Sequence, residues 1–245
     1  MKINGCFALL VLAACAISQA QAPQRKKLLV IGGAKGYQHD SISYAMAAIL
    51  RLGDDNNLWD AYLRTDSRLI TKQSRAGPGG KKDDRYFELN RNAKNLNYFD
   101  AVFLYSTGEI ELNAEQKAAL VSFVKDDGKG LIAAHSAIEP VPDFPEYADM
   151  IGGVFDQHPW TKEVGVEVLD RTFAATGHFP AHFTVNDEIY QFKDYFSEKI
   201  HELMKIDVDT VDLTARGVHR TDKDFAVAWE HNYGPGVLLL ARSLQ

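Results

Sequence analysis

The chain has 245 residues, 46% of them hydrophobic and 24% charged, with a formal net charge of −6. That length buries one good core and suits a single α/β domain. The acidic balance, with no basic cluster larger than Arg25-Lys26-Lys27 or Lys81-Lys82, offers no electrostatic footprint for a nucleic-acid partner.

Residues 1–20 read as a signal peptide. Lys2 supplies the positive charge, Phe7 to Ile17 is an apolar run too short to span a bilayer, and Ser18-Gln19-Ala20 is a small-x-small cleavage site. A cut after Ala22 would place Pro23 next, which signal peptidases disfavour, so the cut is expected after Ala20. A competing reading is a lipoprotein, with lipid on Cys15 of Leu12-Ala13-Ala14-Cys15. Either way the chain is expected to be periplasmic or secreted, and no later segment is long and apolar enough to cross a membrane. Both cysteines, Cys6 and Cys15, lie in this leader, so the rest of the chain has no disulfide, thiolate metal site or cysteine nucleophile.

Residues 26–245 are expected to form one domain. After a short Pro/Gln linker, Lys27 to Ile31 is an apolar strand closed by Gly32-Gly33. Asp40 or Ser41 can cap a helix with Ile42, Ala45, Met46, Ile49 and Leu50 at helical spacing and Gly53 as its stop. Leu58 to Arg64 is a second strand. Residues 71–95 are polar and aperiodic, a surface excursion that reads as a lid or, more blandly, as disorder. Ala101 to Tyr105 is a third, fully apolar strand. Asn113-Ala-Glu-Gln116 has the form of a capping box and opens a helix presenting Leu120, Phe123 and Val124, ended by Gly128. Leu131 to Ala134 is a fourth strand, stopping on His135. Apolar strands alternating with helices indicate a mostly parallel sheet covered on both sides. The later half is less regular. Val164 to Leu169, Glu188 to Phe192 and Glu202 to Val208 read as strands joined by long loops. Phe225 to Glu230 and Val237 to Ala241 read as a hairpin through Asn232-Tyr-Gly-Pro-Gly236.

In open parallel sheets ligands sit beyond the carboxyl ends of the strands. Three segments bring polar side chains there: Gly36-Tyr37-Gln-His39-Asp40 after the first strand, Ser106-Thr-Gly-Glu109 after the third, and His135 after the fourth. A lone histidine after a strand is ordinarily a hydrogen-bonded structural residue, but two histidines and a carboxylate on one edge weaken that reading. Downstream lie Gly152-Gly-Val-Phe-Asp-Gln-His158-Pro159-Trp160 and Asn186-Asp187-Glu188-Ile-Tyr190. Adjacent carboxylates are often only a turn cap, and His-Pro only a turn. In a strand, however, Asp187 and Glu188 point opposite ways, so one of them can face a cleft and serve acid–base chemistry beside an imidazole. Histidines with a carboxylate also suit zinc or manganese. Tyr37, Trp160 and Tyr190 are flat surfaces that could stack on a sugar, with packing the default. Gly32-Gly-Ala-Lys-Gly36 lacks the spacing of a dinucleotide loop, so no nucleotide cofactor is expected. No Gly-x-Ser-x-Gly or His-Glu-x-x-His occurs, and Pro180 separates His178 from His182.

These motifs in this order (Gly36-Tyr-Gln-His39-Asp-Ser, Gly130-Leu-Ile-Ala-Ala-His135, Gly152-Gly-x-Phe-x-x-His158-Pro, Asp187-Glu188-Ile-Tyr190, and Ala228-Trp229 before Tyr233-Gly234) resemble the ThuA-like, trehalose-utilisation family. The resemblance runs from about Lys26 to the end of the chain. It implies a flavodoxin-like three-layer sandwich of the class I glutamine amidotransferase type, with a mostly parallel sheet and antiparallel additions in the C-terminal half. In true amidotransferases the fourth strand ends on a nucleophilic cysteine, and the resemblance puts His135 in that place, so cysteine-dependent glutaminase chemistry is not expected. The family is linked to disaccharide catabolism through 3-keto-sugars, with zinc in some members. It usually continues past the last strand into a Leu-Gly-His sequence and a further helix, where this sequence reads Ser243-Leu244-Gln245.

The expected function is therefore an exported sugar-processing hydrolase, lyase or isomerase acting on a disaccharide or 3-keto-sugar. Its expected catalytic residues are His135, Glu188 and Asp187. Tyr37, Glu109, Trp160 and Tyr190 are expected to touch the sugar, and His39, His135 and His158 to hold a zinc ion. The alternative is a non-catalytic periplasmic carbohydrate-binding or accessory protein using the same cleft.

Overall fold

A computed structural model of the protein describes residues 24–73, 94–107, 111–138, 143–195 and 197–241. The segment expected to be a signal peptide, with Cys15, most of the 71–95 excursion and Glu109 lie outside the described residues. Strand β1 (Lys26–Ala34) buries both faces, with Leu28 and Val30 on one side and Leu29 and Ile31 on the other, as a central parallel strand must. Helix α1 (Ser41–Asp55) follows it. Asp40 sits at its N-cap without a side-chain capping bond, and the helix runs through Gly53 rather than stopping there. Gly53 is needed for packing: a Cβ at that position would come within 2.5 Å of the Trp59 ring. Strands β2 (Trp59–Arg64) and β3 (Ala101–Thr107) precede helix α2 (Ala114–Lys125), whose capping box is complete. Gln116 N–H donates to Asn113 Oδ1 at 2.9 Å, and Asn113 N–H donates back to Gln116 Oε1 at 3.1 Å. Strand β4 (Gly130–Ala134) comes next. A short helix α3 (Pro145–Ile151), which the sequence pattern did not announce, ends on Gly152 at φ 90°.

The remaining strands are β5 (Val154–Val168), β6 (His182–Lys193), β7 (His201–Ile206), β8 (Ala226–Tyr233) and β9 (Gly236–Ala241). All nine join one sheet in the order β2-β1-β3-β4-β9-β8-β7-β5-β6. The first four neighbouring pairs are parallel and the last four antiparallel. The protein is thus α/β with a large mixed sheet, and the expectation of a mostly parallel sheet is corrected. The antiparallel portion is half the sheet because β5 and β6 are far longer than their apolar cores: eleven registered pairs run from Val154↔Lys193 to Glu167↔His182. Polar residues on the outward face of those strands had read as loop.

Helices α2 and α3 cover one face of the parallel half, packing on Leu29, Ile31, Val102 and Leu104, while α1 covers the other through Ile42 and Met46. The antiparallel half has its own apolar cluster around Val164, Val166, Ile189, Leu203 and Val227, roofed by loop residues such as Phe173, Phe179 and Val218. Among the described residues no helix is long and apolar enough to cross a membrane.

At the rim of this half the Glu202 carboxylate accepts a 2.7 Å hydrogen bond from Tyr195 and shares another with Asp224. Burial, and then the neighbouring Glu202, push the Asp224 carboxyl up to about 6, with Asp222 adding and Arg220, 3.8 Å away, opposing. Because the native pKa lies above the unfolded one, the folded state binds the extra proton between pH about 4 and about 6, and stability falls as pH rises through that window. Asp224→Asn should therefore raise the melting temperature above pH 7 and leave it nearly unchanged near pH 4. Identical melting profiles from pH 4 to 8 would show that this pair carries no such cost.

Candidate functional site

Strand β4 is apolar to Ala134 and then turns abruptly into a short 3-10 turn, His135–Ile138. At that junction His135 takes φ 49°, a left-handed conformation that is uncommon for a non-glycine residue. Such strain is retained where the surrounding structure fixes it, commonly at functional sites. The turn carries the imidazole to the carboxyl edge of the parallel strands and buries it to 1% exposure.

Three side chains converge on His135 Nε2. His39, from the β1–α1 loop, brings its own Nε2 to 3.3 Å, with the two rings edge to face at 81°. Tyr190, from β6, places its hydroxyl 3.3 Å away. Glu188, two residues before it on the same face of β6, places Oε2 at 3.7 Å and keeps its side chain 30% exposed. The buried imidazole thus has a solvent-reaching carboxylate beside it, the arrangement needed to pass a proton between the interior and a bound molecule. His39, His135 and Glu188 each offer one ligand atom, and these atoms lie within 4.8 Å of one another.

The period-2 alternation of β6 decides the fate of the paired carboxylates. Glu188 and Tyr190 face His135. Asp187 points to the opposite face, 5% exposed, and lines an apolar cavity there. It is thus separated from the histidines by the sheet, away from the catalytic place expected for it, while the expected opposite orientation of the two carboxylates leaves Glu188 as the one facing the cluster. Trp160 is likewise displaced. It pairs in register with Ile189 on Asp187's face, is 5% exposed, and donates its indole N–H to Asp212 O at 3.0 Å, so it is a core residue and not a sugar platform. Register shifts on either side of Gln157 leave His158 exposed on β5, not in a loop. Its ring is 6.0 Å from that of Tyr190, and it lies outside the His39–His135–Glu188 group, where Glu188 stands instead of the third imidazole expected. Tyr37 is 76% exposed with its ring 4.8 Å from His39, so it can form a wall at the mouth.

Two groups at the site were not assigned a site role from the sequence. Tyr105, the last apolar-strand residue of β3, sets its ring edge against His135 at 5.7 Å, and its hydroxyl is 2.7 Å from Ser41 Oγ at the start of α1. Phe155 packs on Tyr190 at 4.6 Å. A tyrosine closing an otherwise apolar strand was the available signal for the first, and the second was marked only as the Phe of the Gly152-Gly-x-Phe-x-x-His158-Pro motif.

A comparison of the sequence with curated proteins gives no match. Solved structures that share the fold include two ThuA-like proteins. The chain is 18% identical to a ThuA-like protein from Bacteroides uniformis, with a TM-score of 0.65 over 90% of this chain and 82% of that one. It is 11% identical to a ThuA-like protein from Parabacteroides merdae, with a TM-score of 0.59 over 89% and 78%. The family model described as ThuA, trehalose utilisation, matches residues 27–241, nearly every described residue and both sides of the His39–His135–Glu188 cluster. The chain belongs to the ThuA, trehalose-utilisation family.

Proposed function

We propose that this protein is an exported enzyme that acts on a disaccharide or 3-keto-sugar by acid–base chemistry at the His39–His135–Glu188 cluster, with zinc as its metal. The observation that carries this reading is the separation of the three donor atoms. Zinc bonds of 2.0–2.1 Å in a tetrahedron require ligand atoms about 3.3–3.4 Å apart. His135 Nε2 stands 3.3 Å from His39 Nε2 and 3.7 Å from Glu188 Oε2, and all three donor atoms lie within 4.8 Å of one another, so a modest side-chain adjustment would bring them to a tetrahedral ion. His39, His135 and Glu188 would hold the ion, which supplies Lewis-acid polarisation of a sugar carbonyl or hydroxyl oxygen.

The chain's own groups divide the remaining work. A 3-keto-sugar has an acidic hydrogen beside its carbonyl, and the partly exposed Glu188 carboxylate is the group able to reach and remove it. The Tyr190 hydroxyl, buried against His135, can donate a hydrogen bond to the oxygen on which charge develops. Tyr37 offers an exposed ring against a sugar face. A flavodoxin-like, amidotransferase-type origin of the parallel half is supported by its order β2-β1-β3-β4-β9, with the site beyond the carboxyl ends of β1 and β4. Export rests on the leader of residues 1–20.

The test is elemental analysis of protein purified without chelators or a histidine tag, beside a mass-spectrometric screen against 3-keto-disaccharides with and without zinc. Stoichiometric zinc and zinc-dependent turnover are expected. No zinc or manganese, and no thermal shift when either is added, would leave the histidines as sugar-binding groups. Saturable binding of sugar without turnover would favour the accessory-protein reading.

A further inference from the structure

Tyr105 touches both sides of the gap between the site histidines. It is the last large side chain of β3, fully buried on the face that α1 covers, two residues after Phe103. Its ring lies edge-on to His135, 5.7 Å between centroids and 71° between planes. Its hydroxyl lies 2.7 Å from Ser41 Oγ, at the first residue of α1. From Ser41 the connection to His39 is short. Ile42 N–H donates to His39 O at 3.2 Å, closing one turn of backbone between them.

The hydroxyl contact does the work of a missing cap. Asp40 occupies the N-cap of α1 and makes no side-chain capping bond, so the helix lacks the usual local anchor at its start. Two neighbouring points on the sheet hold that start instead. Gly32, opposite Tyr105 in the β1–β3 ladder, lacks the β-carbon that would come within 2.8 Å of Ile42 Cγ2, so the first turn lies close on the sheet. The Tyr105 hydroxyl then fixes where that turn sits. A phenylalanine, as at Phe103, would fill the same space without burying an oxygen, and a buried hydroxyl costs free energy unless it is bonded. We propose that Tyr105 is a positioning residue of the site. Through Ser41 it holds the His39 loop against the sheet while its ring bounds His135, and so it sets the 3.3 Å separation of the two Nε2 atoms. Tyr105 is not itself a ligand. Its effect on zinc affinity rests on the function proposed above, whereas the spacing of the two rings is read without metal.

The experiment compares full-length wild type, Tyr105→Phe, Ser41→Ala and the double variant, metal-free and with zinc added. In the metal-free proteins, nuclear Overhauser effects between the His39 and His135 ring protons report the spacing. They should be clear in wild type and weakened or lost in both single variants, while contacts between the His135 ring and the ring at position 105 persist. Zinc affinity, from calorimetric titration, should fall about tenfold in Tyr105→Phe, and adding that change to Ser41→Ala should lower it no further, because both remove one link. Ser41→Ala, at the helix start and outside the core, keeps the test available if Tyr105→Phe does not fold. The proposal is overturned if wild type shows no such ring effects, if the folded variants keep them at full strength, or if the two losses of zinc affinity add in the double variant. Ring effects that are present in wild type and lost in the variants, with no zinc bound by any of the proteins, would support the positioning role and refute the zinc reading.

Discussion

If the proposed zinc site is right, replacing His135 should remove zinc binding and lower turnover by about 100-fold or more, since it takes away one of the three proposed ligands and the partner of the Glu188 carboxylate. Two variants separate that loss from a folding defect. His135→Ala deletes the imidazole but leaves a β-carbon residue at φ 49°, which costs about 1–2 kcal/mol in the left-handed region. His135→Asn deletes it while supplying a residue that tolerates this conformation, so its melting temperature should stay closer to wild type. Both should lose the metal, measured by elemental analysis and by the loss of zinc-induced thermal shift. Retention of full zinc stoichiometry by folded His135→Asn would refute the assignment of His135 as a ligand. Glu188→Gln should separate the two roles of that residue, weakening metal binding less than it weakens turnover, because the amide still offers an oxygen but cannot take a proton.

The largest effect on stability should come from Trp229→Ala. Trp229 is fully buried at the join between the parallel and antiparallel halves, with Phe192 edge-on at 5.0 Å and Tyr195 at 5.6 Å. Its indole N–H donates to Ile151 O at 2.8 Å, tying β8 to the end of α3. Deleting the ring should cost about 3–5 kcal/mol, since neither the sheet nor α3 can collapse into the space without losing other contacts. For a chain of this length that corresponds to a fall in melting temperature of roughly 10 °C or more. Trp229→Phe keeps most of the apolar area, leaves the Ile151 carbonyl without its donor, and should cost only about 1–2 kcal/mol. Calorimetry of the two variants decides it: equal losses would mean that the hydrogen bond, not the ring volume, dominates. The Ala228-Trp229 motif is on this account a structural signature. The same holds for His231 two residues on, whose Nδ1 lies 2.9 Å from Met150 O, far from the site histidines in its bonding.

The motif order in the sequence was enough to indicate the family and the cluster's two most informative members. Apolar runs bounded by glycines and capping residues located β1, β3, β4, β9 and both long helices, because a strand buried on two faces and a capped amphipathic helix leave local, periodic traces. His39 and His135 were legible for the same reason: His135 directly follows such a strand and His39 lies in the loop after another, and the loops at one sheet edge are neighbours.

What the sequence could not supply depends on register and packing across the sheet. Whether Asp187 or Glu188 faces the histidines turns on a period-2 phase that only the pairing of β6 with β5 sets, and a slip of one residue would exchange them. The bulged stretch around Gln157 likewise decides that His158 is exposed on β5 and that Trp160 enters the core on the far face. The length of β5 and β6 was hidden because their outward residues are polar and read as loop. Tertiary pairing alone converts them into half of a mixed sheet. Local chemistry therefore determined which residue types reach the edge of the sheet. Long-range hydrogen bonding determined which of them meet, because side-chain direction in a strand is fixed by its partner and not by its own sequence.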